Sequence, residues 1–438
     1  MSVVELSLFL MLLLFAVLGS GVWIALALAV CGFVAILTKM STPAGQVLAT
    51  SVWAASDSWD LTALPMFIWM GEILYRTKLS DDMFEGLAPW VQKLPGRLLH
   101  VNVIGCAIFA AVSGSSAATC ATIGRIALPE LLKRGYDEKM AVGTLAGSGT
   151  LGLLIPPSII MIVYATATDQ SIARLFIAGV LPGLMLTGLF MLWSMFAIWR
   201  RGFRSHAPDF RYSWKEKFVS IPKIAPFLFI IGGVMYTLYG GVATPSEAAG
   251  VGAALCLILA VIIYRLYQPA QIWQILRDTM RESVMILTII AAAVLFGYML
   301  TSLYLTQTLA QAIADAHFNR WVLMFMINLF LLVCGFFIPP AAIILMTSPI
   351  LLPIIRAVGF DPVWFGVIVT INMEIGLIHP PVGLNIYIVN AIAPDVPVTK
   401  VMWGTLPYVV CMMLAIVILC IFPEIATWLP NHLMGAGK

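Results

Sequence analysis

Gly149 to Ser158 reads GTLGLLIPPS and lies inside an apolar stretch running from Met140 to Ala167. Two glycines and two adjacent prolines interrupt any helix there. Proline removes a backbone donor and clashes with the preceding turn, and the residue before it is pushed out of the α region. The apolar run nevertheless continues on both sides for long enough to cross a bilayer. A helix broken at membrane depth exposes carbonyls and amides, which are tolerated only where they are buried in protein or line a wet cavity. Paired broken helices are the sequence pointer to a transporter's binding site.

The same pattern returns at Met373 to Gly383, MEIGLIHPPVG. A shift of 224 residues carries Gly152 onto Gly376 and Pro156-Pro157 onto Pro380-Pro381. Without a gap it also carries Ala117-Ala118 onto Ala341-Ala342, Pro129 onto Pro353, Gly135 onto Gly359 and Asp137 onto Asp361. The chain therefore reads as two structural repeats, each with a broken helix.

Composition bounds the class. The 438 residues are 61% hydrophobic and 10% charged, against roughly a quarter charged in a soluble domain. This is an all-α, polytopic integral membrane chain. Its seven cysteines lie in apolar stretches with no CxxC pair and read as small buried hydrophobes. The N-terminus lacks the basic start of a signal peptide and is read as a retained membrane helix.

Taken in order, 4–19 and 21–38 are two spans joined at Gly19-Ser20, 44–57 is a surface helix in the interface, and 61–77 is the third span. The stretch 98–133 is too short for two crossings with a loop. It carries VSGSSAATCATIG (112–124) at its middle and reads as a re-entrant hairpin with its tip near Ser113 to Ser116. The broken helix 139–168, a span at 172–199 and a basic loop from Arg200 to Lys223 follow. The pattern restarts with spans at 222–240 and 245–265, a mixed segment at 269–280 and a span at 281–304. A hairpin at 320–357, a broken helix at 362–392 and a last span at 404–424 complete it. Each half has an odd number of crossings, so the repeats are expected to be inverted.

Charge agrees with this topology. With the N-terminus outside, eighteen of the 24 Lys and Arg residues fall in inner loops and five on the outer side, with Arg125 unassigned inside the first hairpin. That satisfies the positive-inside rule and puts both termini outside the cytoplasm.

Two breaks and two hairpin tips near mid-membrane gather free carbonyls and helix N-termini. Carbonyl and hydroxyl oxygens suit a small hard cation such as sodium, and half-helix N-termini suit a carboxylate. There is no GxxxxGK[ST] loop, so an ATP motor is absent from this chain, and no HExxH or Cys/His pairing points to a metalloenzyme.

VSGSSAATCATIG, LPELLKRGYD, GTLGLLIPPS, GFDPVWFG and EIGLIHPPVGLN, in this order and spacing, resemble the large membrane (DctM-type) subunit of tripartite ATP-independent periplasmic (TRAP) transporters over nearly the whole chain. The resemblance implies a sodium-coupled elevator-type importer of a small organic acid: a dicarboxylate, sugar acid, sialic acid or keto acid. It implies a small four-helix membrane partner, a periplasmic substrate-binding protein, at least about two coupling sodium ions and a bacterial inner-membrane location. Neither an organic cofactor nor nucleic acid is expected. Carried over by motif, one sodium ion sits between Ser113, Gly114 and Ser115 of the first tip and Gly152, Ile155 and Pro157 of the first break. The second sits between the second tip and Gly376, His379 and Pro381. Many members carry an aspartate about where Pro339 stands here and a threonine in place of His379. Substrate is expected at the helix ends bearing Ser116, Thr150, Pro156 and Pro380, with Arg125 as a further candidate.

Plainer readings stand beside these. Ser113 to Ser116 also suit close helix packing, and His379 a satisfied helix end. Arg125 also suits snorkelling to the cytoplasmic face. Glu374 reads equally as a cap or an ion ligand, Glu72 as buried in protein or facing a partner, and Asp57 and Asp60 as an interfacial cap. The expected division is a scaffold of 1–60 and 200–280 and a transport domain of 61–199 and 281–438. The first alternative is a stand-alone sodium/carboxylate symporter. The second, an integral-membrane lipid enzyme, lacks the clustered acids or histidines it would need.

Overall fold

The structure, a computed structural model, describes residues 3–39, 43–91, 94, 96–201, 213–315 and 318–435. Its first half runs through helices Val3–Gly19, Ile24–Lys39, Ala44–Ser56, Ala63–Arg76 and Leu79–Val91. A hairpin of Leu98–Ser113 and Ser116–Lys133 follows, then a broken helix of Glu138–Gly149 and Ile159–Thr168, then the long helix Ile172–Arg201. The second half repeats the order: Trp214–Tyr239, Pro245–Tyr264, Pro269–Ser302 and Leu305–Asp315, then the hairpin Arg320–Gly335 and Pro340–Ala357. The broken helix Pro362–Ile378 and Leu384–Ile392 comes next, then Val398–Ile421 and a terminal Glu424–Met434. Six of these helices are long and apolar enough to cross a membrane, and several shorter ones are as apolar.

The 224-residue register survives in the element boundaries. Ser116–Lys133 maps onto Pro340–Ala357 end to end, and Glu138 maps onto Pro362. The local causes repeat as well. Gly135 and Gly359 both take positive φ, where a side chain is strained. Asp137 and Asp361 each cap the broken helix that follows, accepting from the Met140 amide at 3.0 Å and from the Val363 amide at 2.7 Å. Such a cap is worth about 1 kcal/mol.

The two halves interlock rather than sit side by side. Ala63–Arg76 packs on Pro245–Tyr264, and its repeat mate, the C-terminal part of Pro269–Ser302, packs on Ile24–Lys39, where Leu295 lies against Gly32. The helix leaving the second break, Leu384–Ile392, packs on Ser116–Lys133 of the first hairpin. Its mate Ile159–Thr168 packs on Pro340–Ala357 of the second. Each hairpin is thus held by the other repeat's broken helix.

Several expectations need correcting. The mixed segment 269–280 and the span 281–304 are one helix, Pro269–Ser302. Pro269 starts it at the first helical position and no Gly or Pro interrupts it before Gly297. The domain boundary drawn at residue 280 falls inside that helix. The basic loop ends sooner than Lys223, because Ser213 and Glu216 form a capping box that starts Trp214–Tyr239. Residues 202–212 of that loop, with Arg204 and Arg211, lie outside the described residues, as do Lys93 and Lys438. The last span begins at Val398. Helices Leu79–Val91, Leu305–Asp315 and Glu424–Met434 were not anticipated. The first two are short amphipathic mates under the same shift, and mixed polarity hid them. Asp57 is the C-cap residue of Ala44–Ser56, its amide donating to the Trp53 carbonyl at 2.9 Å, whereas Asp60 lies inside the turn Trp59–Thr62 and, among the described residues, caps no helix with its side chain. All seven cysteines are free and buried or half-buried, as expected.

Candidate functional site

The first tip is two residues long. Gly114 turns the chain with φ +59°, and Ser115 caps the next helix by accepting from the Ala118 amide at 3.4 Å. The Ser115 carbonyl accepts from Thr119 Oγ1 at 2.7 Å, and the Ser113 and Thr119 hydroxyls are 2.9 Å apart. Ser113, Ser115 and Thr119 therefore concentrate oxygens at one buried point.

The first break lies directly against this tip. Glu138–Gly149 passes into a tight turn over Thr150–Leu153, and the next helix starts at Ile159. Ser158 caps it by accepting from the Met161 amide at 3.2 Å and donates its hydroxyl to the Leu153 carbonyl. The Ile159 amide donates to the Gly114 carbonyl at 3.4 Å. A Cβ on Gly152 would stand 2.6 Å from the Ser115 carbonyl oxygen, and one on Gly114 would stand 2.8 Å from that of Pro157. Only glycine permits this approach. Gly71 on Ala63–Arg76 backs the tip as closely, with the Ser113 carbonyl oxygen 2.8 Å from an added Cβ. The structure thus gathers Ser113, Gly114, Ser115, Gly152 and Pro157. Ile155 is half-buried and points to Gly183 on Ile172–Arg201 instead.

The second tip departs from the repeat. It spans Phe336 to Pro339 between Arg320–Gly335 and Pro340–Ala357. Pro339, the counterpart of Ser115, occupies the N-cap position with no side-chain acceptor. The close approach falls one turn earlier: a Cβ on Gly376 would lie 2.7 Å from the Gly335 carbonyl oxygen. His379 stacks on the Phe336 ring at 4.2 Å, and its Nδ1 lies 2.6 Å from the Pro380 carbonyl oxygen. Pro381 is exposed and its carbonyl accepts from the Tyr387 hydroxyl at 3.2 Å. The second break therefore offers carbonyl oxygens and one imidazole, and its hydroxyls come from Tyr387 on the Pro381 carbonyl and Thr405 on the Ile378 carbonyl, not from the tip as in the first.

The expected substrate residues scatter. Ser116 is buried and bonds to Asn385, whose amide reaches it at 3.0 Å and the Ala146 carbonyl at 3.2 Å. Thr150 is buried with its hydroxyl donated to the Gly147 carbonyl at 2.8 Å. Pro156 is buried and Pro380 half-buried. Arg125 is exposed, donates to the Tyr75 hydroxyl at 2.7 Å and lies 5.2 Å over that ring. A cavity of about 250 Å³ opens at the first tip, lined by Ser113, Ser115, Gly71, Tyr75, Glu72 and Glu282 among others. Glu72 is paired with Arg76 at 3.3 Å, within the chain.

Two further residues stand out: Asn385, which the sequence did not assign, and Glu374, which it read as a cap or an ion ligand. Asn385 joins the second break to the first hairpin, and its only sequence signal was its place in EIGLIHPPVGLN. Glu374 is neither a cap nor a contact of the tip. It lies within Pro362–Ile378, fully buried, with both carboxylate oxygens lacking a hydrogen-bond partner. Gly376, two residues further on, faces Gly335, and two residues lie about 200° apart round a helix, so Glu374 looks to the other side. No group of three or more His, Cys, Asp or Glu suited to a metal ion occurs among the described residues.

Comparison with known proteins gives one answer. A family model described as "Tripartite ATP-independent periplasmic transporter, DctM component" matches residues 9–425. The C4-dicarboxylate TRAP transporter large permease protein DctM of Pseudomonas aeruginosa is 35% identical over 386 residues, covering 88% of this chain and 90% of that protein. The isethionate TRAP transporter permease protein DctMQ of Oleidesulfovibrio alaskensis is 32% identical over 413 residues, covering 92% of this chain and 63% of that protein. The YdaH transporter of Alcanivorax borkumensis shares the fold, with a TM-score of 0.63 at 13% identity, covering 86% of this chain and 87% of that one.

Proposed function

The chain belongs to the DctM component family of tripartite ATP-independent periplasmic transporters, as a large membrane permease subunit. From that premise we propose that it imports a small organic acid in symport with sodium. One sodium ion is held by oxygens of Ser113, Gly114 and Ser115 with Gly152, Ile155 and Pro157. A second lies at Gly376, His379 and Pro381. The observation that carries the reading is the seating of the first tip on the first break, Ser115 against Gly152. Clustered carbonyl and hydroxyl oxygens fit a hard cation better than a transition metal, and Glu72 and Glu282 line the adjoining cavity.

Once sodium orders the tips, the substrate anion meets the helix ends at Ser116, Thr150, Pro156 and Pro380. Arg125 supplies positive charge at the mouth of the tip cavity through its neighbour Tyr75. Relatives act on C4-dicarboxylates and on isethionate, so an anionic group is the shared feature and the particular acid stays open. The two repeats are inverted across an inner membrane with both termini on the periplasmic side. The hairpins and broken helices of 61–199 and 320–392 slide against a scaffold that includes 1–60 and 214–264, with the continuous helix Pro269–Ser302 linking the two. A substrate-binding protein delivers the acid and a small membrane subunit flanks the scaffold. The longer DctMQ relative supports such a subunit.

The test is uptake into proteoliposomes under an inward sodium gradient, with the small subunit present and the binding protein added or omitted across a panel of organic acids. Uptake that requires sodium and both partners supports the reading. Uptake by this chain alone replaces it with a stand-alone symporter.

A further inference from the structure

Away from the tips, three helix ends leave a groove of about 450 Å³ outside the proposed ion and substrate sites. Ala197 of Ile172–Arg201 forms one wall, and Gly404 and Pro407 of Val398–Ile421 form the other. Glu138–Gly149 and Val398–Ile421 meet backbone to backbone: a Cβ on Gly404 would lie 2.5 Å from the Lys139 carbonyl oxygen, and one on Gly143 would lie 2.1 Å from that of Gly404. Position 404 must stay bare for these two helices to meet, and the groove lies between that pair and Ala197. The floor is already satisfied. The Tyr408 hydroxyl is 2.7 Å from Thr144 Oγ1 and 3.4 Å from Ser194 Oγ.

The rim is basic and aromatic. Lys139 Nζ lies 5.7 Å over the Trp403 ring, and Trp403 itself is 62% exposed. Arg200 stands exposed at the open end. Among the described residues neither Lys139 nor Arg200 has a carboxylate partner, whereas the adjacent Lys400 is paired with Glu138 at 2.6 Å. Two uncompensated cations at the mouth of an apolar groove, at the end of membrane-length helices, match one chemistry. Apolar walls take acyl chain, the exposed indole sits at headgroup level, and the cations take a phosphate diester.

We propose that this groove binds an anionic glycerophospholipid, its phosphate held by Lys139 and Arg200 and its first acyl carbons laid between Ala197 and Pro407. The lipid holds the ends of Ile172–Arg201 and Val398–Ile421 together. The inference goes beyond the transport reading and needs no substrate.

The full chain, purified in detergent and freed of lipid, is titrated with phosphatidylglycerol, phosphatidylcholine or glycerol 1-phosphate. Bound lipid is read by native mass spectrometry and Tm by thermal shift. Phosphatidylglycerol is expected to bind and raise Tm more than phosphatidylcholine. K139Q and R200Q are each expected to weaken it about five-fold, the worth of one basic group near an anionic surface. A197F fills the groove with both charges in place and is expected to lose the lipid too, which decides the matter if the charge variants misfold. Equal binding of the two lipids, or phosphatidylglycerol binding unchanged in A197F, overturns the proposal. So does competition by glycerol 1-phosphate at equal concentration, which marks a free-anion site, or loss of lipid when the small membrane subunit is added, which marks a protein interface.

Discussion

Asn385 donates its side-chain amide to the Ser116 hydroxyl at 3.0 Å, across 269 residues of sequence. The same amide reaches the Ala146 carbonyl at 3.2 Å. One buried side chain therefore ties the helix leaving the second break to the hairpin and the broken helix of the first repeat. Asn385→Ala removes both bonds and leaves buried partners behind, costing about 1–3 kcal/mol. The expected result is a lower Tm, together with weaker sodium dependence of uptake. An unchanged Tm would show that the bonds are not made.

Gly152→Val places a branched side chain where the Ser115 carbonyl stands. The first tip must lift from the break. Sodium-driven uptake is expected to fall by at least about ten-fold, equivalent to about 1.4 kcal/mol, while the protein still inserts. Gly188→Val on Ile172–Arg201, where an added Cβ meets nothing within 4 Å, serves as the control. Equal uptake in both variants would sink the first sodium site.

His379 packs its ring on Phe336 at 4.2 Å, which fixes the second tip over the second break. His379→Thr gives up that stack, worth about 0.5–1.5 kcal/mol, and puts a hydroxyl at position 379 in place of the imidazole. Sodium affinity is expected to change while affinity at the first site holds, read from the sodium dependence of Tm and of uptake. Identical curves for the variant and the parent would remove His379 from the ion site.

Glu374 buries both carboxylate oxygens without a donor. An unpaired polar group in that setting costs about 1–3 kcal/mol, so Glu374→Leu is expected to raise Tm. If the carboxylate serves the transport cycle, the same variant is expected to lose uptake. A fall in Tm would mean that the carboxylate has a stabilising partner.

From the eighteen-to-five split of basic residues, both chain ends are expected outside the cytoplasm. A C-terminal reporter fused after Glu424–Met434 is expected to be active only when exported. Activity restricted to the cytoplasm would reverse the topology.

What the sequence determined by itself was local. Pro156-Pro157 and Pro380-Pro381 end helices wherever they stand, because proline lacks a donor and clashes with the turn before it. Asp137, Asp361, Gly135 and Gly359 mark boundaries by caps and positive φ, so the repeat and both breaks were legible from composition and spacing. The one-helix continuity of Pro269–Ser302 was missed because mixed polarity resembles a boundary when no breaker marks one. What only the tertiary structure decided was which distant surfaces meet. Gly152 against Ser115 follows the repeat, yet Gly376 meets Gly335 instead of Pro339, because a proline-capped four-residue tip cannot seat as a two-residue glycine-serine tip does. Asn385 on Ser116, the burial of Glu374 and the bare groove beside Gly404 depend on packing between repeats. Packing leaves no periodic trace in the chain, since each contact is set by the shape of a partner hundreds of residues away.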